Sequence, residues 1–280
     1  MTASSPLVTF IGTTPNIGTT IAALAAAYRI SEESEASVGF LCLNLKSSKT
    51  HRYLGIDRPE TTVDSLRPEL RTGTLLPDKL FRSMHPAAGR AGVRILFGNT
   101  LRDQAEYFTP EEVDHLLDKA VLTFDVVIAD VGAYWDNAAT LCALRRADVR
   151  VAATTAALSH FQEDGTRWIK QLSPVYGIAE DGFEAIVVHP PWRNGGFHVK
   201  EIGKELGMPL IGELKLSESM LSQLDGGTLG EYFVRSEQGR RVMAEPAERI
   251  VRRLGLPRRS AIAAQPWYRK LLAHRGGVNG

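Results

Sequence analysis

The sequence predicts an α/β fold, a doubly wound and mostly parallel sheet with helices on both faces. Runs of five to nine residues, apolar at nearly every position, recur along the 280-residue chain. Stretches of helical composition separate them, and no Gly/Ser/Pro-rich linker breaks the alternation before about residue 255. Strands that are apolar throughout must be covered on both sides, whereas a sheet with one wet face alternates apolar with polar residues.

The elements follow in order. Pro6 to Gly12 (PLVTFIG) is an apolar run closed by glycine, and Thr20 to Arg29 (TIAALAAAYR) is alanine-rich with high helix propensity. Val38 to Leu45 (VGFLCLNL) reads as a second buried strand, and the stretch after it holds too much Pro, Thr and Gly for one long helix. Val93 to Phe97 is a third strand. Thr109-Pro-Glu-Glu then starts a helix, with a capping threonine, proline in the first turn and acids at the positive end of the dipole, running to about Leu122. Phe124 to Ala129 is a strand that terminates in Asp130. Val149 to Thr154, Phe183 to Val188 and Pro209 to Leu214 complete the set.

With 44% hydrophobic residues the chain has enough apolar surface for one large core. Residues 1–255 are expected to form a single domain, followed by a basic tail over 256–280. The two cysteines, Cys42 and Cys142, lie in apolar surroundings without a CxxC pair and read as small buried hydrophobes. None of the seven histidines stands in an HExxH motif or at i, i+4 spacing, so a zinc site has no support. Ser159, His160 and Asp164 do not make a hydrolytic triad, because neighbouring helical residues point to different faces. Met1 to Pro6 has no leader-like pattern and no segment is long and apolar enough for a membrane span, which gives an expected cytoplasmic location.

Charge is unevenly distributed. Eight basic residues and no acidic ones lie from Arg249 onward, leaving 25 basic against 32 acidic residues before it. The tail around Trp267, Tyr268 and Arg269 is a candidate contact for an acidic partner or an anionic membrane surface, the alternative being a tail packed on its own domain. No helix-turn-helix pattern is present, and nucleic acid is not an expected partner.

In parallel sheets ligands sit at the carboxyl ends of the strands. Those ends are Gly12 to Thr20, Asn44 to Lys49, Asp130 to Trp135 and His189 to Trp192. At the first, Gly12-Thr-Thr-Pro-Asn-Ile-Gly-Thr-Thr20 passes from strand to helix, where an anion would meet free N–H groups and the positive end of the helix. The Thr20 hydroxyl is suited to a magnesium ion.

The order of elements, with FDVVIAD ending in Asp130 and a later IVVHPP strand end, resembles the layout of the MinD/ParA-type ATPases over roughly residues 6–225. The loop of that P-loop family reads K-G-G-x-G-K-[ST]. Setting Gly18 on its last glycine puts Thr14 at the signature lysine, Pro15 and Asn16 at two glycines, and Thr19 at the phosphate lysine. Both lysines are absent, and Pro15 removes an N–H donor. The resemblance implies ATP and Mg as cofactors, a nucleotide site of Thr14, Asn16, Ile17, Gly18, Thr19, Thr20, Lys46 and His189, and a metal site of Thr20 and Asp130. Two readings stay open for the loop, a weak nucleotide cradle or a vestigial turn retained for packing.

At the second strand end Asn44-Leu45-Lys46 stands where the family has an acidic segment. Lys46 is either a replacement cation reaching the phosphates or a solvated lysine of a KSSK turn. Asp130 would accept from the magnesium water shell, or open an Asx turn. His189 would contact a base, or be structural. Trp192 and Arg193 are candidates for the sandwich dimer such proteins form, or plain surface groups, and Trp267 and Arg269 for partner contacts.

The degraded loop is similar in character to the TadZ/CpaE-like proteins of pilus assembly and secretion. The resemblance implies a homodimeric localisation or scaffolding factor at the inner membrane face, a pseudo-ATPase with little or no hydrolysis. An active ATPase in partitioning or positioning is the first alternative, and a nucleotide-independent interaction module the second.

Overall fold

Every residue of LVTFIG and VGFLC is buried, which only a strand covered on both faces can achieve. In the computed structural model, which describes residues 5–192 and 196–259, these runs are central strands of one eight-stranded sheet. The strands are β1 (Leu7–Gly12), β2 (Val38–Cys42), β3 (His85–Ala87), β4 (Arg90–Leu96), β5 (Val126–Asp130), β6 (Val149–Thr155), β7 (Phe183–His189) and β8 (Leu210–Lys215). Their order is β3-β4-β2-β5-β1-β6-β7-β8, parallel throughout except where β3 runs antiparallel to β4. The expected doubly wound, mostly parallel architecture is the one observed.

Alternation along the strands divides the core into two layers. On β1, Val8 and Phe10 join Phe40, Ile128 and Val151 beneath the first helix, Thr19–Glu33, while Leu7 and Ile11 join Leu41, Leu96, Trp135 and Phe183 on the other face. The first helix is buried along most of its length because its alanines let it lie close to the sheet. Helix Pro110–Thr123 starts as expected, with Thr109 and Glu112 forming a reciprocal capping box. Cys42 and Cys142 are buried and free. Among the described residues no helix is long and apolar enough to cross a membrane.

Some boundaries differ from the sequence reading. β2 ends at Cys42 instead of Leu45, because the chain turns there: the Leu43 N–H donates to Asp130 O at 2.8 Å and the Leu45 N–H to Leu43 O at 2.9 Å. Val93 to Phe97 falls on β4, which starts earlier at Arg90 and ends at Leu96, while β3 was not anticipated, since the three residues His-Pro-Ala carry no strand pattern. The segment between β2 and β3 holds only short helices, such as Thr50–Tyr53 and Pro77–Ser83.

The excess of cations after Arg249 is smaller in space than in sequence. Helix Ala244–Arg253 sets Glu245 against Arg249 at 2.6 Å, and Glu248 against both Arg252 and Arg258 at 3.0 Å, while Arg253 pairs with Glu184. The chain then lies along the end of the first helix, where Arg259 N–H donates to Glu33 O at 3.0 Å. Trp267, Tyr268 and Arg269 lie outside the described residues, as does Arg193.

Candidate functional site

The loop after β1 is fixed at both sides by the sheet. The Gly12 N–H donates to Gly132 O at 2.7 Å, and the Thr13 N–H to Ala153 O at 2.9 Å. The chain then needs two left-handed residues, Asn16 with φ 62° and Gly18 with φ 102°. Gly18 cannot easily be replaced, because a Cβ there would combine that φ with a Leu216 methyl at 3.2 Å. It occupies the N-cap of the first helix without any side-chain cap, so the leading N–H groups of the helix remain available to an anion.

These N–H groups border a cleft of about 220 Å³. The loop contributes Thr14, Pro15, Asn16, Gly18, Thr19 and Thr20 to its wall; Asn44 and Ser47 enter after β2, Gly132 to Tyr134 after β5, and Trp192 after β7. Ile17 is buried beneath it at 7% exposure. Three of the four strand ends singled out from sequence thus meet the fourth, through Trp192, at one crevice. Sequence reasoning missed the apolar wall formed by Leu216, Leu221 and Leu224, and Tyr53 opposite. The leucines read as ordinary core, and only the crevice rule at the end of β8 would have pointed to them.

Asp130, the last residue of β5, is fully buried behind the cleft wall, two residues before Gly132. Its Oδ1 accepts from the Gly132 N–H at 3.2 Å, while Oδ2 has no partner in hydrogen-bond geometry. Burial pushes its pKa up from 3.8 to about 6, with the Thr20 hydroxyl and the Gly132 amide acting the other way. Gly132 is also required by close approach, since a Cβ there would stand 2.4 Å from Asn44 Oδ1 at a φ of 69°.

No Lys, Arg or His side chain lines this cleft among the described residues. Thr14 instead donates its hydroxyl to Asp164 at 2.6 Å, from a helical stretch with wide π-type turns, and so brings a carboxylate toward the loop. Thr19 is 6% exposed, its Oγ1 only 2.6 Å from where a Gly12 Cβ would be. Lys46 does not reach the phosphate position expected of it. Its ammonium lies 2.5 Å from Asp136 and 3.0 Å from Glu106, over the Tyr134 ring, because two carboxylates attract it more strongly than a neutral cleft. His189 likewise turns from the cleft, with Nε2 2.8 Å from the Glu213 carboxylate on β8. Trp192 is 74% exposed at the rim. His160 bonds Thr155 and Asp164 bonds Thr14, so neither joins Ser159 in a relay.

The residues fit a magnesium ion in part. An unpartnered buried carboxylate oxygen beside a threonine hydroxyl is a hard-oxygen donor pair of the kind magnesium takes, with water completing its shell. They fit a nucleotide's phosphates through amides and the helix N-terminus, without a cation to neutralise them.

No family model matches the sequence, and no curated protein matches it. Solved structures do share its fold. The ParA family ATPase from Chlorobium tepidum aligns with a TM-score of 0.75 at 17% identity, over 88% of this chain and 99% of that one. The cell division ATPase MinD of Pyrococcus furiosus aligns at 0.71 and 12% identity, over 89% and 99%. The septum site-determining protein MinD complexed with Mg-ADP from Pyrococcus horikoshii aligns at 0.70 and 14%, over 88% and 96%. At these identities the likeness establishes the fold.

Proposed function

We propose that this chain is a positioning or scaffolding factor on the MinD/ParA ATPase fold, whose cleft binds Mg-ATP weakly or not at all and hydrolyses it little. The observation that carries the reading is that no cationic side chain lines the cleft among the described residues. Two charge-assisted contacts to phosphate oxygens contribute about 3–6 kcal/mol together, so their loss weakens binding by roughly 10²- to 10⁴-fold. Hydrolysis suffers further, because Lys46 replaces an acidic segment and is itself held by Asp136 and Glu106.

Support for a positioning role comes from the neighbours of the fold, which include the MinC:MinD cell division protein complex of Aquifex aeolicus. The altered loop supports the narrower reading, a TadZ/CpaE-like homodimeric factor for pilus or secretion assembly at the inner membrane face, with exposed Trp192 available to a second copy.

A second reading, a working ATPase of partitioning or positioning, is favoured by one observation, the retained pair of Thr20 in the cleft wall and Asp130 behind it. The test is the melting temperature with millimolar Mg-ATP, Mg-ADP or Mg-GTP, alongside phosphate release. A selective ATP shift abolished by Thr20→Ala, with no phosphate released, supports the first reading. Steady turnover lost in Thr20→Ala and Asp130→Ala replaces it with the second. A melt indifferent to every nucleotide leaves a nucleotide-independent interaction module.

A further inference from the structure

A second crevice opens at the carboxyl edge of the same sheet, beyond the ends of β2 and β4. It encloses about 550 Å³, within the range of small-molecule sites, and its chemistry is opposite to that of the cleft. Lys49, Arg52, Arg58 and Arg102 line it together with His51, Ser48 and Thr100. The carboxylate in the wall is Asp57, which is held by Arg52 at 2.7 Å. Asp64 stands behind the rim and accepts from Thr100 at 3.0 Å. No ion pair forms at Lys49, Arg58 or Arg102 among the described residues.

The crevice is built into the fold. Gly98 brings the end of β4 so near the loop after β2 that a Cβ there would lie 2.5 Å from Ser48 Oγ and 2.8 Å from Cys42 O. The Val63 N–H donates to Phe97 O at 2.9 Å, which fixes the segment leading from Arg58 against the same strand end. With Arg52 paired to Asp57, the charges of Lys49, Arg58 and Arg102 still repel one another around the concavity, and a polyanion relieves that repulsion. Arginines suit phosphate oxygens in particular, because their planar forks donate two parallel hydrogen bonds.

We propose that this crevice is an anion site, distinct from the cleft, for a small ligand carrying several phosphate groups. A compact concavity suits a discrete di- or triphosphate better than a duplex, whose regularly spaced phosphates call for an extended basic stripe. The segment between Asn44 and Tyr53 separates the two sites, giving Asn44, Ser47 and Tyr53 to the cleft and Ser48, Lys49, His51 and Arg52 to the crevice.

The probe is inorganic tripolyphosphate without magnesium, titrated calorimetrically into the full chain, with orthophosphate, short duplex DNA and anionic vesicles as the other arms. Tripolyphosphate is expected to bind more tightly than orthophosphate, and Arg58→Glu/Arg102→Glu to weaken it at least tenfold with the ligand-free melting temperature unchanged. Both side chains are exposed, so the double variant keeps its fold, and the basic residues beyond 259 are the same in both proteins. Thr20→Ala, which alters only the cleft, leaves tripolyphosphate binding as it was. The proposal is overturned if the double variant binds like the unmodified chain, if tripolyphosphate does not bind, or if duplex DNA or vesicles bind more tightly and lose affinity in the double variant.

Discussion

Replacing Asp130 by asparagine removes a negative charge from behind the cleft wall while preserving side-chain shape. The folded chain holds a proton on Asp130 up to about pH 6, whereas an exposed aspartate releases it near 3.8. Between those values unfolding releases a proton, so this group's contribution to stability falls as pH rises, and above about 6 it is a constant penalty. The climb from 3.8 to about 6 corresponds to about 3 kcal/mol held against folding at neutral pH. The asparagine amide keeps an acceptor for the Gly132 N–H, so Asp130→Asn is expected to be more stable than the unmodified chain at pH 7.5, by up to that amount. The advantage disappears near pH 4, where both side chains are neutral. Urea midpoints at the two pH values measure this. On the proposed reading of the cleft, a bound magnesium nucleotide would act in the opposite direction, stabilising the chain with the carboxylate. A variant that is less stable at pH 7.5, or equally shifted at both pH values, would refute the account of Asp130 as an uncompensated buried acid.

Other outcomes follow from the same geometry. Thr109→Ala breaks the capping box with Glu112 and should cost about 1 kcal/mol, read as a lower urea midpoint at unchanged slope. Arg29→Met strands the carbonyls of Phe233 and Arg240, which the buried guanidinium meets at 2.7 and 2.8 Å, and should cost about 3 kcal/mol in the same assay. Thr19→Lys places a cation in a cleft wall that has none among the described residues and should tighten Mg-ATP by at least tenfold in a melting titration. Unchanged affinity would mean that loop geometry, with Pro15 lacking an N–H, limits binding instead.

Several strand ends were legible because the apolar run stops at a glycine or a polar residue, as at Gly12, Asp130 and His189, and the carboxyl edge then gathers Gly18, Thr20 and Asn44 around one crevice with Asp130 buried behind it. What escaped the sequence were pairings across long separations. Thr14 bonds Asp164, 150 residues away, and Lys46 bonds Asp136, 90 residues away. No local pattern announces such partners, so Lys46 read alone looked free to approach the phosphates. The basic crevice escaped for the same reason: nothing local in the sequence sets Arg102 beside Lys49, Arg52 and Arg58. The β3/β4 hairpin forms by addition to the edge of an existing sheet, which a three-residue segment with proline does not signal by itself.

Charge at this edge of the sheet is therefore displaced more than depleted. The loop at the head of the first helix carries no cation, while one crevice away Lys49, Arg52, Arg58 and Arg102 line a concavity. A multiply charged anion approaching the carboxyl edge meets its strongest attraction at the basic crevice, because a concavity lined by one sign concentrates the field. Magnesium neutralises part of a nucleotide's charge and so weakens that attraction, while the unpartnered Asp130 Oδ2 is buried behind the cleft wall and not at the crevice. On the two assignments proposed above, free polyphosphate would favour the crevice and magnesium nucleotide the cleft, and the short segment from Asn44 to Tyr53, which lines both, is the element through which occupancy of one would be felt at the other.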